Sequence, residues 1–186
     1  EILFRELDSP LYPVKEKIAP KPVAAPNIPT LHLKEVTVNS HESDSPLVQK
    51  AWAFLYERKL FNLETEEGTY YVSTQGRYKN RLVIPFSDEG NIYYFQARSL
   101  GSETPKYLNP SDGWAKPSHI LYPYDESADH LVICEGPLDA ISLQIQGVNA
   151  TCTMGSSVSE IQVEQLKEFD GKIIIGYDND DAGKRG

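Results

Sequence analysis

Hydrophobic positions along this chain change period three times. Residues 10–29 show no usable period, because Pro10, Pro13, Pro20, Pro22, Pro26 and Pro29 forbid helix and favour extended, polyproline-like backbone. Residues 1–44 therefore read as a Pro-rich linker, with one short strand expected within 31–38. At Ser45 the pattern turns helical. Ser45 suits an N-cap, Pro46 suits the first helical position, and Leu47, Ala51, Trp52 and Leu55 recur at helical spacing to about residue 59. Arg58 and Lys59 at that end would complement the helix dipole.

From Tyr70 the period becomes that of strands, with segments at 70–73, 81–86 and 91–98 rich in aromatic and β-branched residues. Ser87-Asp-Glu-Gly90 reads as a hairpin loop, and Pro85 argues for an edge or a bulge. Residues 105–110 read as a rigid polar loop between two prolines, and 120–122 as a further short strand. After His130 strands and helices alternate. A strand at 131–134 leads to a helix with Leu138, Ile141 and Ile145 on one face, stopped by Gly147. A strand at 148–154 precedes a helix that Ser159 and Gln162 would open as a capping box, and a strand at 172–177 follows Gly171. Three strands joined by two crossover helices predict a parallel, Rossmann-like sheet.

With 186 residues, 18 basic and 27 acidic, the chain carries a net charge of −9, which argues against a nucleic-acid coat over the whole surface. The distribution is uneven. Residues 1–49 carry 5 − 7 = −2, residues 50–116 carry 9 − 8 = +1 and residues 117–186 carry 4 − 12 = −8. The expected fold class is thus α/β: a mixed α+β basic lobe at 45–126, then a parallel-sheet lobe at 127–186. Cys134 and Cys152 lack metal-ligand spacing and fall in expected buried strands, so they read as core thiols of a reducing compartment, with no zinc site in this chain. No apolar run approaches the length of a membrane span, and the chain, opening on Glu1, reads as an excised segment.

Two of the buried strands end abruptly in acids, at Glu135 and Asp139 and at Asp178 and Asp180. Ligands of open α/β sheets bind at the carboxyl ends of the strands. If the two strands are neighbours, these acids converge, and two carboxylates about 4 Å apart repel by roughly 4 kcal/mol at an effective dielectric near 20. A divalent cation would relieve that repulsion, and a few hard oxygen ligands suit Mg²⁺, or Mn²⁺, shared with substrate phosphates. Each half of the motif has a plainer explanation. Asp-x-Asp is common in turns, and an acidic first turn is favoured by the helix dipole. Arg98 and Lys106 also fit solvated surface charges, and Tyr107 and Trp114 fit core aromatics.

Glu135-Gly-x-x-Asp139, Gly155 in a Ser/Thr-rich loop and Tyr177-Asp-x-Asp-x-Ala-Gly183 together resemble the TOPRIM fold of bacterial-type primases, type IA and II topoisomerases and some nucleases. Upstream, Arg81-Leu-Val-Ile-Pro-Phe86, Gln96-Ala-Arg98, Pro105-Lys-Tyr-Leu-Asn-Pro110 and Lys116 before Leu121-Tyr122 resemble the basic half of DnaG-type primases. The divergent flanks fit a phage or mobile-element version. The resemblance implies a DNA primase catalytic core with a truncated TOPRIM lobe, a DNA-directed RNA polymerase making short RNA primers on single-stranded DNA from NTPs. It implies Glu135 as catalytic acid/base and metal neighbour, with Asp139, Asp178 and Asp180 around the metal. Arg81, Arg98, Lys106, Tyr107, Asn109, Lys116 and Lys184 would bind template and nucleotide. A replicative helicase, fused or separate, is the implied protein partner, and the cytoplasm of a bacterial or phage-infected cell the implied location, with no membrane. The family's zinc ribbon and later acidic pair are missing from this sequence, so weak or absent synthesis is expected of it alone. A TOPRIM nuclease or topoisomerase, and a non-catalytic module of a primase-helicase, are the alternatives.

Overall fold

A computed structural model describes residues 2–6, 32–62, 70–88, 91–111 and 114–179. The proline run at 10–29 lies outside the described residues, as do the loop tip at 89–90, Asp180, Lys184 and the expected helix start around them.

The first lobe is a five-stranded antiparallel sheet in the order β2-β3-β4-β5-β6. Its strands are β2 (Leu33–Val36), β3 (Tyr70–Ser73), β4 (Arg81–Asp88), β5 (Asn91–Ser99) and β6 (Tyr107–Leu108). Alternation puts Leu82, Ile84 and Phe86 of β4 on one face, and Val83 with Phe95 and Ala97 of β5 on the other. Helix α1 (Pro46–Glu57) covers the first face through Val48, Ala51 and Leu55. Ser45 stands at the N-cap in extended backbone, yet its hydroxyl caps nothing. The helix is fastened elsewhere, by the Trp52 indole N–H donating to the Val38 carbonyl at 2.7 Å.

The second lobe is a four-stranded sheet in the order β1-β9-β7-β8, with β1 at Ile2–Glu6. Strands β7 (His130–Cys134), β8 (Ala150–Cys152) and β9 (Lys172–Asp178) are parallel, as expected of crossovers through α2 (Pro137–Ile145) and α3 (Glu160–Leu166). The capping box of α3 is present in both halves: Ser159 accepts from the Gln162 backbone, and the Gln162 side chain accepts from the Ser159 N–H. Gly147 ends α2 with φ +78, the left-handed conformation in which glycine carries no Cβ penalty.

Three expectations need correction. Strand β1 (Ile2–Glu6) lies antiparallel along β9 in a span read as linker, whereas β2, an edge of the first sheet, falls within 31–38, where a short strand was expected. Neither stretch contains proline, and each finds an edge whose backbone groups need partners. Pro85 lies on β4, the middle strand of five, so of its two readings, edge or bulge, the bulge holds and the edge does not. It is tolerated because β3 pairs with β4 only as far as Val83, and the register slips just beyond, between Phe86 and Ser87. Tyr107–Leu108 pairs with β5 as a short strand, where a loop was expected. Residues 120–122 follow a 3₁₀ turn, Pro117–His119, and join no ladder.

The lobes share their cores. Leu138 and Ile141 of α2 pack into the cluster under α1, and Phe86 and Tyr94 pack with Val132, Cys134 and Cys152. Full burial of each such side chain contributes roughly 1.5–3 kcal/mol.

Candidate active site at the seam of the two lobes

Because β7 and β9 are parallel and in register, with Ile133 opposite Ile175, their carboxyl ends lie level. Glu135 leaves β7 there, and Asp178 closes β9. The chain turns into α2 through extended Gly136 and then Pro137. Asp139, in the first helical turn, folds back toward this entry, and its carboxylate is held by the backbone N–H groups of Asp139 and Gly136. A Cβ at residue 136 would stand 3.1 Å from Asp139 Oδ2, so glycine leaves room for the carboxylate.

Asp139 and Asp178 feel each other's charge across this entry. Burial by its surroundings holds the Asp139 carboxyl above the usual carboxylate range, and the like charge of Asp178 adds to it, while the Arg98 guanidinium pulls the other way. Cys134 is pushed up to about 12, first by burial and then by Asp139 and Asp178. It stays a thiol, a wall of the site rather than a ligand. Beneath Glu135 lies buried Tyr177. Its hydroxyl stands 3.1 Å from Thr153 Oγ1, and Thr153 Oγ1 directs its one proton at the Gly155 carbonyl oxygen, 2.7 Å away. The simplest assignment has Tyr177 donating to Thr153 and Thr153 to Gly155, tying the ends of β8 and β9 to the Ser/Thr-rich loop. Burial raises the Tyr177 phenol, the Thr153 hydrogen bond opposes it, and the charge of Glu135 adds to the rise.

The basic side comes from β5, β6 and α1. Arg98 and Tyr107 are directly opposite across β5 and β6, and the Arg98 guanidinium donates to the Tyr107 hydroxyl. The same guanidinium lies 4.8 Å from the centre of the Phe54 ring, within cation–π range. Lys106 is exposed, with Nζ 5.8 Å from the Tyr107 ring centre. Its carbonyl accepts from the Ser99 N–H at 2.8 Å and from Arg81 Nη1 at 3.2 Å. Arg81 is only 2% exposed, so it holds the 105–110 loop from beneath rather than facing a ligand. Asn109 is spent in the same way: its Oδ1 accepts from Gln96 Nε2 at 3.2 Å, and its carbonyl accepts from the Tyr78 hydroxyl. Lys116 is exposed ahead of the Pro117–His119 turn, and no contact among the described residues joins it to Arg98.

The structure therefore brings Glu135, Asp139 and Asp178 to one strand-end ledge, with Arg98 and Tyr107 on its flank. Among the described residues no three His, Cys, Asp or Glu side chains gather tightly enough to hold a metal by themselves. The donor set still fits a hard divalent ion: carboxylate oxygens, and an Asp139 whose ionisation is opposed by Asp178. A separate cleft of about 310 Å³ lies at the far end of α2, lined by Ile141, Gln144 and Ile145 with Tyr70, Pro85 and Tyr122. No acid among the described residues lines it. Sequence reading missed Phe54, whose signal was its placement four residues before Arg58, and Thr153, which carries no local signal.

A Toprim-like family model matches residues 132–186. A DNA primase of Thermotoga maritima is 31% identical over 140 residues, which are 70% of this chain and 24% of that protein. The chain spans a quarter or less of the length of these curated primases. In structure it is similar to the E. coli primase catalytic core, with TM-score 0.59 and 22% identity over 80% of this chain and 61% of the other. It is also similar to a DnaG primase catalytic domain bound to single-stranded DNA, with TM-score 0.57 and 22% identity over 78% and 58%. By sequence and fold together, the chain belongs to the DnaG-type primases, and its C-terminal sheet is of TOPRIM type.

Proposed function

We propose that this chain forms the template- and nucleotide-binding seam of a primase catalytic core, which joins NTPs into short RNA primers on single-stranded DNA. One observation carries the reading: Arg98 bridges the two chemistries, donating to Tyr107 on the basic lobe while its charge bears on Asp139 at the acidic ledge. Phosphates held by guanidinium groups would thus be delivered beside the carboxylates. In each addition the 3′-hydroxyl oxygen bonds to the α-phosphorus of the incoming NTP, and pyrophosphate leaves. Glu135, at the end of β7, is the group we assign to take the hydroxyl proton. Asp139 and Asp178, with Asp180, would hold Mg²⁺, which when bound lowers the charge of the triphosphate and activates the attacking oxygen. Lys106 and Arg98 orient phosphate, and Tyr107 offers a face for a base. The 105–110 loop holds its shape through Arg81, Gln96 and Tyr78, so positioning is built in before substrate arrives.

The single-stranded template, NTPs and RNA primer are the substrates and product of this reading, with a replicative helicase as partner and the cytoplasm as the place. No helix among the described residues is long and apolar enough to cross a membrane. The test is Glu135→Gln in the protein as encoded, incubated with labelled NTPs, single-stranded template and Mg²⁺, with products resolved on a gel. We expect primer synthesis to fall by at least about 10²-fold while DNA binding persists. Full synthesis by the variant would remove Glu135 from the mechanism, and template cleavage without short RNA would replace the polymerase reading with a nuclease.

A further inference from the structure

Thr153 follows β8 directly and is 4% exposed, at the point where three strand ends of the parallel sheet come together. Its backbone N–H donates to the Cys134 carbonyl at 3.2 Å, and that carbonyl belongs to the peptide that carries Glu135. Its hydroxyl stands 2.7 Å from the Gly155 carbonyl and 3.1 Å from the Tyr177 hydroxyl. The Cys134 carbonyl lies farther from that hydroxyl, at 3.4 Å. A hydroxyl has one proton to give, so it goes to Gly155 and leaves Tyr177 as the donor. The Thr153 carbonyl accepts from Gln162 Nε2 at 3.2 Å, and buried Gln162 also closes the capping box of α3. One residue thus joins the ends of β7 and β9, the loop after β8 and the start of α3. The backbone then turns at Met154 with φ +59, a left-handed conformation that a non-glycine residue keeps only where its surroundings hold it.

We propose that Thr153 is a positioning residue for nucleotidyl transfer, clasping the Cys134–Glu135 peptide on one side and the Tyr177 phenol on the other. Glu135 and Asp178, the residues that follow Cys134 and Tyr177, are thereby kept level across the site. The Tyr177 phenol in turn feels the charge of Glu135, so the clasp reaches the catalytic carboxylate from below as well as through its own peptide. Thr153 gives up no proton and touches no substrate; it acts through Glu135. Valine would fill the same space and bring no buried hydroxyl to satisfy. The hydroxyl is therefore needed for what it fixes rather than for the volume it fills. A displacement of 1 Å at a reacting group costs up to about 10²-fold in rate. A merely structural Thr153 predicts something else: a lower melting temperature, with turnover unchanged in the folded protein.

The inference rests on the proposed role of Glu135, and the experiment separates the two. Thr153→Val, Thr153→Ser, Tyr177→Phe, the Thr153→Val/Tyr177→Phe pair and Glu135→Gln are made in the protein as encoded. Primer synthesis is measured over a range of NTP and template concentrations, well below the melting temperature of each variant. We expect kcat to fall about tenfold in Thr153→Val, with KM for NTP and template within about twofold of the parent. Thr153→Ser, which keeps the hydroxyl, should restore kcat. Tyr177→Phe should lose as much as Thr153→Val, and the pair no more than either, because both hydroxyls form one clasp. Parent kcat in folded Thr153→Val overturns the clasp and leaves the primase reading intact. A raised KM at unchanged kcat moves Thr153 to substrate binding and overturns it too. Should Thr153→Val fail to fold, Tyr177→Phe decides, and parent kcat there overturns the clasp. Full synthesis by Glu135→Gln removes the group that Thr153 positions, and overturns both the role of Glu135 and this inference.

Discussion

The two sheets place their chemistry by different devices. In the parallel sheet, β7 and β9 run in register, so side chains just past their ends meet on one ledge: Glu135 and Asp178, with Asp139 one helical turn on. Topology alone achieves this, because every strand ends on the same side. In the antiparallel sheet successive strands end on opposite sides, and the site is made along the strands. Arg98 meets Tyr107 because β5 and β6 pair in one particular register, and a slip by one residue would send every side chain to the other face. Acids gathered at strand ends are therefore robust to loop changes, whereas the basic groove depends on the register of a two-residue strand and on the hydrogen bonds of its loop.

The contrast holds only if the lobes behave as one body, and the strongest perturbations test that. Ile84→Ala in β4 and Ile133→Ala in β7 remove side chains that are 0% and 1% exposed, and each should cost about 2–5 kcal/mol. Since Leu138 and Ile141 of α2 share the core under α1, both variants should unfold in a single urea transition at a lower midpoint. Two separated transitions would show that the lobes are independent and that the seam is a weak contact. Gly171→Ala strikes the parallel sheet alone. A Cβ there would stand 2.6 Å from both the Asp129 carbonyl and the Phe169 ring, so β9 must shift, at a cost of about 1–3 kcal/mol. Chemical denaturation measures the loss, and Mn²⁺ stabilisation should weaken with it if the ledge moves.

On the basic side, Arg98→Ala and Lys106→Ala should each lower the salt slope of single-stranded DNA binding by about 0.7, one phosphate contact apiece. Arg81→Ala should instead loosen the loop and lower thermal stability, because Arg81 is buried on the Lys106 carbonyl. If all three variants bind DNA as the parent does across the salt series, the groove lies elsewhere.

The smallest effect sits on the acidic ledge. The Asp139 carboxyl is raised in the fold, by burial first and Asp178 second, so its charged form is disfavoured there. Its contribution to stability is fully present below the unfolded carboxylate pKa, near about 3.9, and is lost as pH rises through the raised folded value. Asp139→Asn should therefore melt slightly higher than the parent at neutral pH, with the difference fading as pH falls through that window. Added Mn²⁺ should narrow the gap by stabilising the parent. Equal melting temperatures at neutral pH would mean that the carboxylates do not strain each other.

Much of this was legible from local pattern. The apolar runs of β7 and β9, the helical face of α2 and the capping box at Ser159 and Gln162 are encoded within a few residues of themselves, where propensity and periodicity act. The acids were legible because they follow such runs directly. The antiparallel lobe was harder to read. Pro85 argued for an edge or a bulge, and only the sheet decides between them, because where β3 stops pairing is a property of the sheet and not of β4. Arg81 looked like a groove residue and is buried, since only the folded loop reveals that the Lys106 carbonyl waits for its guanidinium.

Sequence by itself determined the element types, the parallel sheet and the residues that could bear a charge at its strand ends, because those rest on short-range sterics and on the hydrophobic period. Tertiary structure decided which charges face each other. That Phe54 of α1 lies against Arg98 of β5, that the charge of Arg98 bears on Asp139, and that Thr153 ties Tyr177 to the loop are relations between segments remote in the chain. Their energies arise only once packing has brought those segments together, so no local window of sequence contains them.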